Sequence, residues 1–288
     1  MADHLQRIAD LSVFVFVVST MLTVGMSQPL AEIIAPLRKP LTVALALLIN
    51  FALAPLLAIA LCRLVPLQSA HASGIVLAGA AAGAPFLPKL AAISRGDEAY
   101  SAALMMLLMA GSIVFMPLAL PLMLPGVSAD PWTIAKPLLL SMVAPLAIGF
   151  ALALSGISSL SRLIAFTRAT SNASFLLVVV LMIGLNFKTI ANTLGSFAIG
   201  TYALYLLVLV AAGYLVGATD KSTQTVFALG AASRNIPAGL VVAGGSLNDP
   251  AITSMLIVAF VVSLVVLLGL ARAMRPQGGA RTRERLVT

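Results

Sequence analysis

The sequence predicts an all-α integral membrane protein of about nine transmembrane helices, and three observations predict it. Charged residues make up only 9% of the 288-residue chain against 61% hydrophobic ones, and the mean hydropathy is +1.10; a soluble domain carries roughly 25% charged residues. The apolar runs are continuous over about 20 residues, the length a helix needs to cross the hydrocarbon core. They do not alternate as the strands of a membrane barrel would.

Taken in order, the predicted spans are 10–28, 41–62, 72–94, 99–124, 133–154, 170–187, 197–217, 222–246 and 250–272. The opening "MADHLQRIADLSVFVF" lacks a basic leader and a small-residue cleavage site, so its apolar run reads as a retained span. The loops are short, and the only segment expected to be disordered is the tail "RPQGGARTRERLVT". The net charge of +8 is not a nucleic-acid signature, because the basic residues lie in loops and the tail. One face holds Arg38, Lys39, Arg95, Arg162, Arg168, Lys221, Arg272, Arg275, Arg281, Arg283 and Arg285; the other holds Arg7, Arg63, Lys136 and Lys188. Loops richer in Lys and Arg stay on the cytoplasmic side. This puts the chain in the plasma (inner) membrane, with the N-terminus outside and the C-terminus in the cytoplasm. The tail then meets anionic lipid headgroups. Trp132, Tyr202 and Tyr205 read as interfacial anchors. Cys62 is the single cysteine, so no intramolecular disulfide forms.

Spans three and eight are unlike the rest. "GIVLAGAAAGAPFLPKLAAISRGD" and "TQTVFALGAASRNIPAGLVVAGGSLND" each begin with a Gly/Ala-rich half-helix, meet proline, carry one cation near the break and close with Asp97 or Asp249. Pro85, Pro88 and Pro237 are the expected helix breaks, since an interior proline removes a hydrogen bond and clashes with the preceding turn. Paired interruptions in corresponding positions of two halves point to the binding site of a transporter built from inverted repeats. Residues 1–154 then hold the first repeat (spans one to four) and span five. Residues 155–169 are the inter-repeat loop, 170–274 the rest of the second repeat and 275–288 a basic cytoplasmic tail. The first repeat lacks its leading helix.

Lys89 and Arg234 are the basic residues left at span depth. A lysine can snorkel to the interface from a shifted span. An arginine at mid-span costs several kcal/mol and marks a functional site unless a carboxylate pairs with it. The nine acids, Asp3, Asp10, Glu32, Asp97, Glu98, Asp130, Asp220, Asp249 and Glu284, all fall at span ends or in loops. An anionic substrate is the simplest partner for the two cations. Arg234 could hold a carboxylate with two parallel bonds and Lys89 as a point charge, beside half-helix N-termini that favour anions.

"SRGDEAYS" with "PLALPLML", and "RNIPAGLVVA", resemble the segments around the two broken helices of bile acid:sodium symporter-type transporters; "GMSQPL" and "NFALAP" fit the same order. The resemblance runs over nearly the whole chain. It implies two broken helices crossing near the midplane of a core domain, a panel domain made of spans one, five and six, and alternating access between the domains. It also implies an organic anion as cargo and sodium as the driving ion. The implied sodium ligands are largely missing. Leu87 and Pro88 stand where the family has a Ser-Asn pair, and Gly230 and Arg234 where it has a Glu and a Gln. Met105 replaces one of two hydroxyls, whose companion Ser101 remains. Asn235 matches a family Asn, and Asn50 stands at a Gln ligand.

The predicted function is therefore secondary transport of a small organic anion without the usual sodium sites, with Lys89 and Arg234 supplying the charge that bound sodium would bring. Ser233, Asn235, Asn50 and Ser101 complete the candidate substrate-binding and coupling set. A sodium-coupled symporter with atypical ligands and an efflux carrier for a weak acid or oxyanion are the alternatives. An enzyme is not expected: no catalytic residue set, metal-ligand spacing or cofactor motif lies at span depth.

Overall fold

The computed structural model describes residues 2–27, 31, 34, 38–124, 130–193, 195–217, 220–243 and 249–276. Its helices are α1 (Ala2–Ser27), α2 (Pro40–Leu64), α3 (Ser69–Ala80), α4 (Leu87–Ser94), α5 (Glu98–Met123), α6 (Pro131–Leu154), α7 (Leu160–Leu185), α8 (Phe187–Thr193), α9 (Ala198–Val216), α10 (Lys221–Ala232), α11 (Ile236–Val242) and α12 (Pro250–Ala273). No β-strand occurs among the described residues. Seven helices are long and apolar enough to cross a membrane: α1, α2, α5, α6, α7, α9 and α12. The other two expected spans are each split, into α3 and α4 and into α10 and α11. Most of the expected tail, including Arg281, Arg283 and Arg285, and the acid Glu32 lie outside the described residues.

Acidic residues start several of these helices. Asp97, Asp130, Asp220 and Asp249 cap α5, α6, α10 and α12 by accepting from the backbone N–H of Tyr100, Trp132, Thr223 and Ala251. These bonds satisfy donors that have no partner inside the helix. The Asp220 carboxyl, which also accepts from the Thr223 hydroxyl, is held below the usual carboxylate range by these bonds. Capping thus accounts for the acids at span ends, including Asp97 and Asp249 after the two interruptions.

Two long helices contain a widened π-turn, at Ile49–Leu53 in α2 and Leu139–Val143 in α6. Each immediately precedes an Ala-Pro pair, Ala54-Pro55 or Ala144-Pro145. Proline lacks an N–H and collides with the carbonyl four residues back. The wider turn absorbs that conflict, and such turns recur at functional sites.

Packing divides unevenly. The most extensive contacts of α1 are with α7 and α6. Gly25 and Gly149 allow α1 and α6 to touch backbone to backbone: a Cβ on Gly25 would lie 2.5 Å from Leu146 O. Thr20 bonds Ser171 at 2.7 Å, and Thr23 bonds Thr167 at 2.8 Å, across α1 and α7. Elsewhere α9 packs on α10 and α12, and α3 packs on α2 and α12. Tyr202 and Tyr205 are fully buried and stacked at 5.6 Å, with the Tyr202 hydroxyl 3.1 Å from Ser263 Oγ. They are core residues and not interfacial anchors, because α9 turns that face inward. Trp132 is exposed, as an anchor would be.

α7 begins at Leu160, so the expected loop 155–169 shrinks to its first few residues. Arg162 and Arg168 kept the hydropathy of these turns low, yet the turns are helical. Arg168 therefore rides on a helix.

Gly83 joins the two halves of the first interruption at φ +80°, and a Cβ there would come within 2.4 Å of Met109 N. Gly83→Ala should give a protein with a clearly lower melting temperature in detergent. The left-handed backbone alone costs about 1–2 kcal/mol for a non-glycine residue, and backbone atoms of α5 cannot retreat easily. An unchanged melting curve would contradict this.

Candidate functional site

The two interruptions meet. Ala82 and Arg234 form an isolated antiparallel bridge, and Asn235 N–H donates to Ala81 O at 2.8 Å. Ser112 of α5 closes the remaining gap. Its Oγ accepts from Ala82 N–H at 2.8 Å and donates to Ala82 O at 2.9 Å. Backbone groups freed from two broken helices are thus paired with each other inside protein, the condition under which irregular backbone survives at membrane depth.

The prolines do not make the breaks. Pro88 and Pro237 sit in the first turns of α4 and α11, where a missing N–H is harmless. Pro85 lies in the turn that leads into α4, closed by Leu87 N–H on Ala84 O at 3.0 Å. The breaks themselves fall at residues 81–86 and 233–235, between the half-helices. Lys89 lies in the first turn of α4, just past the first break, whereas Arg234 stands in the crossing itself.

Arg234 is 3% exposed. Its Nη2 donates to Asn50 Oδ1 and to Ala231 O, the latter at 2.5 Å. Asn50 is 2% exposed and is held by its own bond from Nδ2 to Ala46 O. It projects from the π-turn of α2. Nε and Nη1 of Arg234 have no hydrogen-bond partner among the described residues. The cavity beside the guanidinium is only about 30 Å³, space for about two water molecules. An organic anion does not fit there, so the expected two-bond clamp on cargo is not available to Arg234 in this conformation.

Asn235 caps α11 through Oδ1, which accepts from Ala238 N–H at 3.2 Å, while its Nδ2 lies 3.4 Å from Met142 Sδ. Met142 belongs to the π-turn of α6, so both widened turns aim a side chain at the crossing. Ser233 Oγ is spent on Leu229 O at 2.8 Å. Ser101 is remote from this set; it is buried in the first turn of α5, with Oγ donating to Glu98 O at 2.7 Å.

Lys89 opens on a different and larger cavity, of about 290 Å³, between α1, α4 and α7. Its Nζ donates to Asn172 Oδ1 at 2.5 Å and lies 5.8 and 5.6 Å from the ring centres of Phe16 and Phe175. Phe175 stacks on Phe86 at 5.1 Å and touches Phe16 at 5.2 Å. Phe16 and Phe175 thus flank the ammonium, while the apolar lining of the cavity itself is Val24, Pro88 and Ala92. The polar lining comes from Thr20, Thr23, Ser27, Ser171, Asn172 and Arg168. Glu98, on the first turn of α5, also borders this space, so an acid does stand near one of the two cations. Lys89 and Arg234 therefore do not share a pocket. Arg168, Ser27 and Thr20 were not singled out from sequence. Only their helical phase relative to Lys89, set by three helices distant in the chain, brings them together.

Among the described residues no group of His, Cys, Asp and Glu could hold a metal ion. No curated protein matches the chain. The model of the Sodium Bile acid symporter family matches residues 13–193, well over half of the sequence and including the Lys89 cavity and the first interruption. The matched range holds the first interruption and ends before the second, and the family's members are transporters and not enzymes. The chain is an integral membrane protein that belongs to the Sodium Bile acid symporter family.

Proposed function

We propose that the protein is a secondary transporter that moves a small organic anion by alternating access without binding sodium, with the Arg234 guanidinium in place of a bound cation. The observation that carries this reading is the seat of Arg234. An amide oxygen and a backbone carbonyl, the kinds of hard oxygen that ligate sodium, are both turned on its Nη2. The residues at the other implied ligand positions do not fit a sodium ion. Leu87, Met105 and Gly230 carry no side-chain oxygen, and the space a Cβ on Gly230 would take lies 2.6 Å from a Leu104 methyl and 3.3 Å from a Leu87 methyl. A hard cation finds apolar packing there.

Cargo is held elsewhere, in the cavity of Lys89. The division of labour corresponds to nine spans in two inverted repeats, the two split helices forming the crossing of a core. α6 and α7, which each pack chiefly on α1, the former across Gly25 and Gly149, form the panel with it. The cavity lies where α4 of the core faces α1 and α7 of the panel, so relative movement of the two bodies would open and close it. With Arg95, Arg162 and Arg168 on the cytoplasmic side, this conformation faces inward.

Purified protein in proteoliposomes should take up a transported anion at the same rate with sodium or with choline outside. Strict dependence on sodium would overturn the fixed-cation reading and leave a sodium symporter with atypical ligands.

A further inference from the structure

The Lys89 cavity holds more positive charge than one carboxylate balances. Arg168 lines the same space as Lys89 and is close enough to act on its charge. Among the described residues the Arg168 guanidinium has no hydrogen bond or ion pair. Glu98 sits exposed at the border and does not pair with either cation. The neutral lining is rich in donors as well. Asn172 gives its oxygen to Lys89, which leaves its amide N–H groups for another partner. Ser27 Oγ is buried with no hydrogen-bond partner among the described residues. At about 290 Å³ the space falls just below the usual range of ligand pockets, roughly 300–1,000 Å³. It suits a compact cargo, whose apolar part would meet Val24, Pro88 and Ala92.

We propose that the cargo carries two anionic groups, one meeting Lys89 beside Asn172 and the other meeting Arg168, and that Arg168 is the residue that selects dianions over monoanions. This rests on the organic-anion reading above and adds the charge class. The reason is electrostatic. Two cations facing one partly enclosed space repel each other. A ligand with two separated negative groups relieves that repulsion, whereas a ligand with one leaves half of it. Arg168 adds a planar fork that matches a carboxylate or phosphonate in two parallel bonds.

Full-length protein in detergent, in choline buffer at matched ionic strength, would be melted against succinate and glutarate and against butyrate and valerate. A ligand that binds only the folded state raises the melting temperature. The dianions should stabilise the protein with half-saturation at least about tenfold below that of the monoanions, which is 1.4 kcal/mol. Arg168→Gln should erase that preference while leaving the ligand-free melting temperature unchanged, since Arg168 is exposed. Arg168→Lys, which keeps the charge, should restore most of it. Equal response to both series in the wild type, or a dianion preference that survives Arg168→Gln, overturns the dianion assignment alone. No response to either series overturns it as well, and sodium-free uptake of other anions in proteoliposomes then decides whether the broader transport reading falls too.

Discussion

Arg234→Ala should reduce anion uptake in proteoliposomes by roughly tenfold to a hundredfold. The guanidinium ties α2, through Asn50, to the crossing and to the end of α10, through Ala231. Hydrogen bonds from a charged donor contribute about 1.5–3 kcal/mol each, and each 1.4 kcal/mol is a factor of ten. Truncation also leaves Asn50 Oδ1 without this donor in a site that is 2% exposed. Part of the loss is offset in stability, because an arginine without a carboxylate is costly to bury. Melting temperature is therefore a weaker readout than flux. Arg234→Lys keeps the charge but not the reach of the fork, so it should retain partial uptake. Full activity in the alanine variant would sink the role given to Arg234. Sodium-stimulated uptake appearing only in that variant would support it strongly, since a mobile cation would then be filling the seat of the fixed one.

Lys89→Met should raise the KM for anion by about tenfold to a hundredfold while leaving the ligand-free protein as stable as the wild type. Methionine keeps much of the volume packed against Phe16 and Phe175 and removes only the charge. The half-buried ammonium is desolvated on its apolar side, and its loss takes away a charge-assisted bond to cargo worth about 1.5–3 kcal/mol. Lys89→Arg should keep most of the affinity. The comparison separates cargo binding from an arrangement in which Lys89 serves only to hold Asn172, 2.5 Å from its Nζ. In that arrangement the methionine variant would show altered stability with unchanged KM. The two lysine and arginine experiments also separate the cavities. A Lys89 variant should change KM, whereas an Arg234 variant should change the rate of turnover.

The membrane class, the continuous helices and the two interruptions were legible in the sequence because they follow from local chemistry. Twenty apolar residues satisfy their own backbone only as a helix, and Pro88 and Pro237, which suit the first turn of a helix, mark where the second half of each interrupted span restarts. The capping role of Asp97 and Asp249 is equally local, each accepting from a backbone N–H two or three residues on. Span ends were read less well. α7 carries Arg162 and Arg168 in its first turns, and a hydropathy window discards charged turns that are nonetheless helical.

Which charges stand together was decided by packing alone. Lys89 and Arg234 looked equivalent, one cation near each break, yet the bridge pairs Arg234 with Ala82, and Lys89, in the first turn of α4, borders another space. Asn50 and Met142 reach the crossing because a π-turn in each parent helix rotates them there, and nothing in the residue pattern announces such a rotation except the Ala-Pro that follows it. Arg168 joins Lys89 because α1, α4 and α7 meet at one depth. The class of the protein is a property of neighbouring residues along the chain, summed over each helix. Its site is a property of helical phase and register between segments far apart, fixed only when close contacts such as Gly25 on α6 and Gly230 on Leu104 admit a single packing.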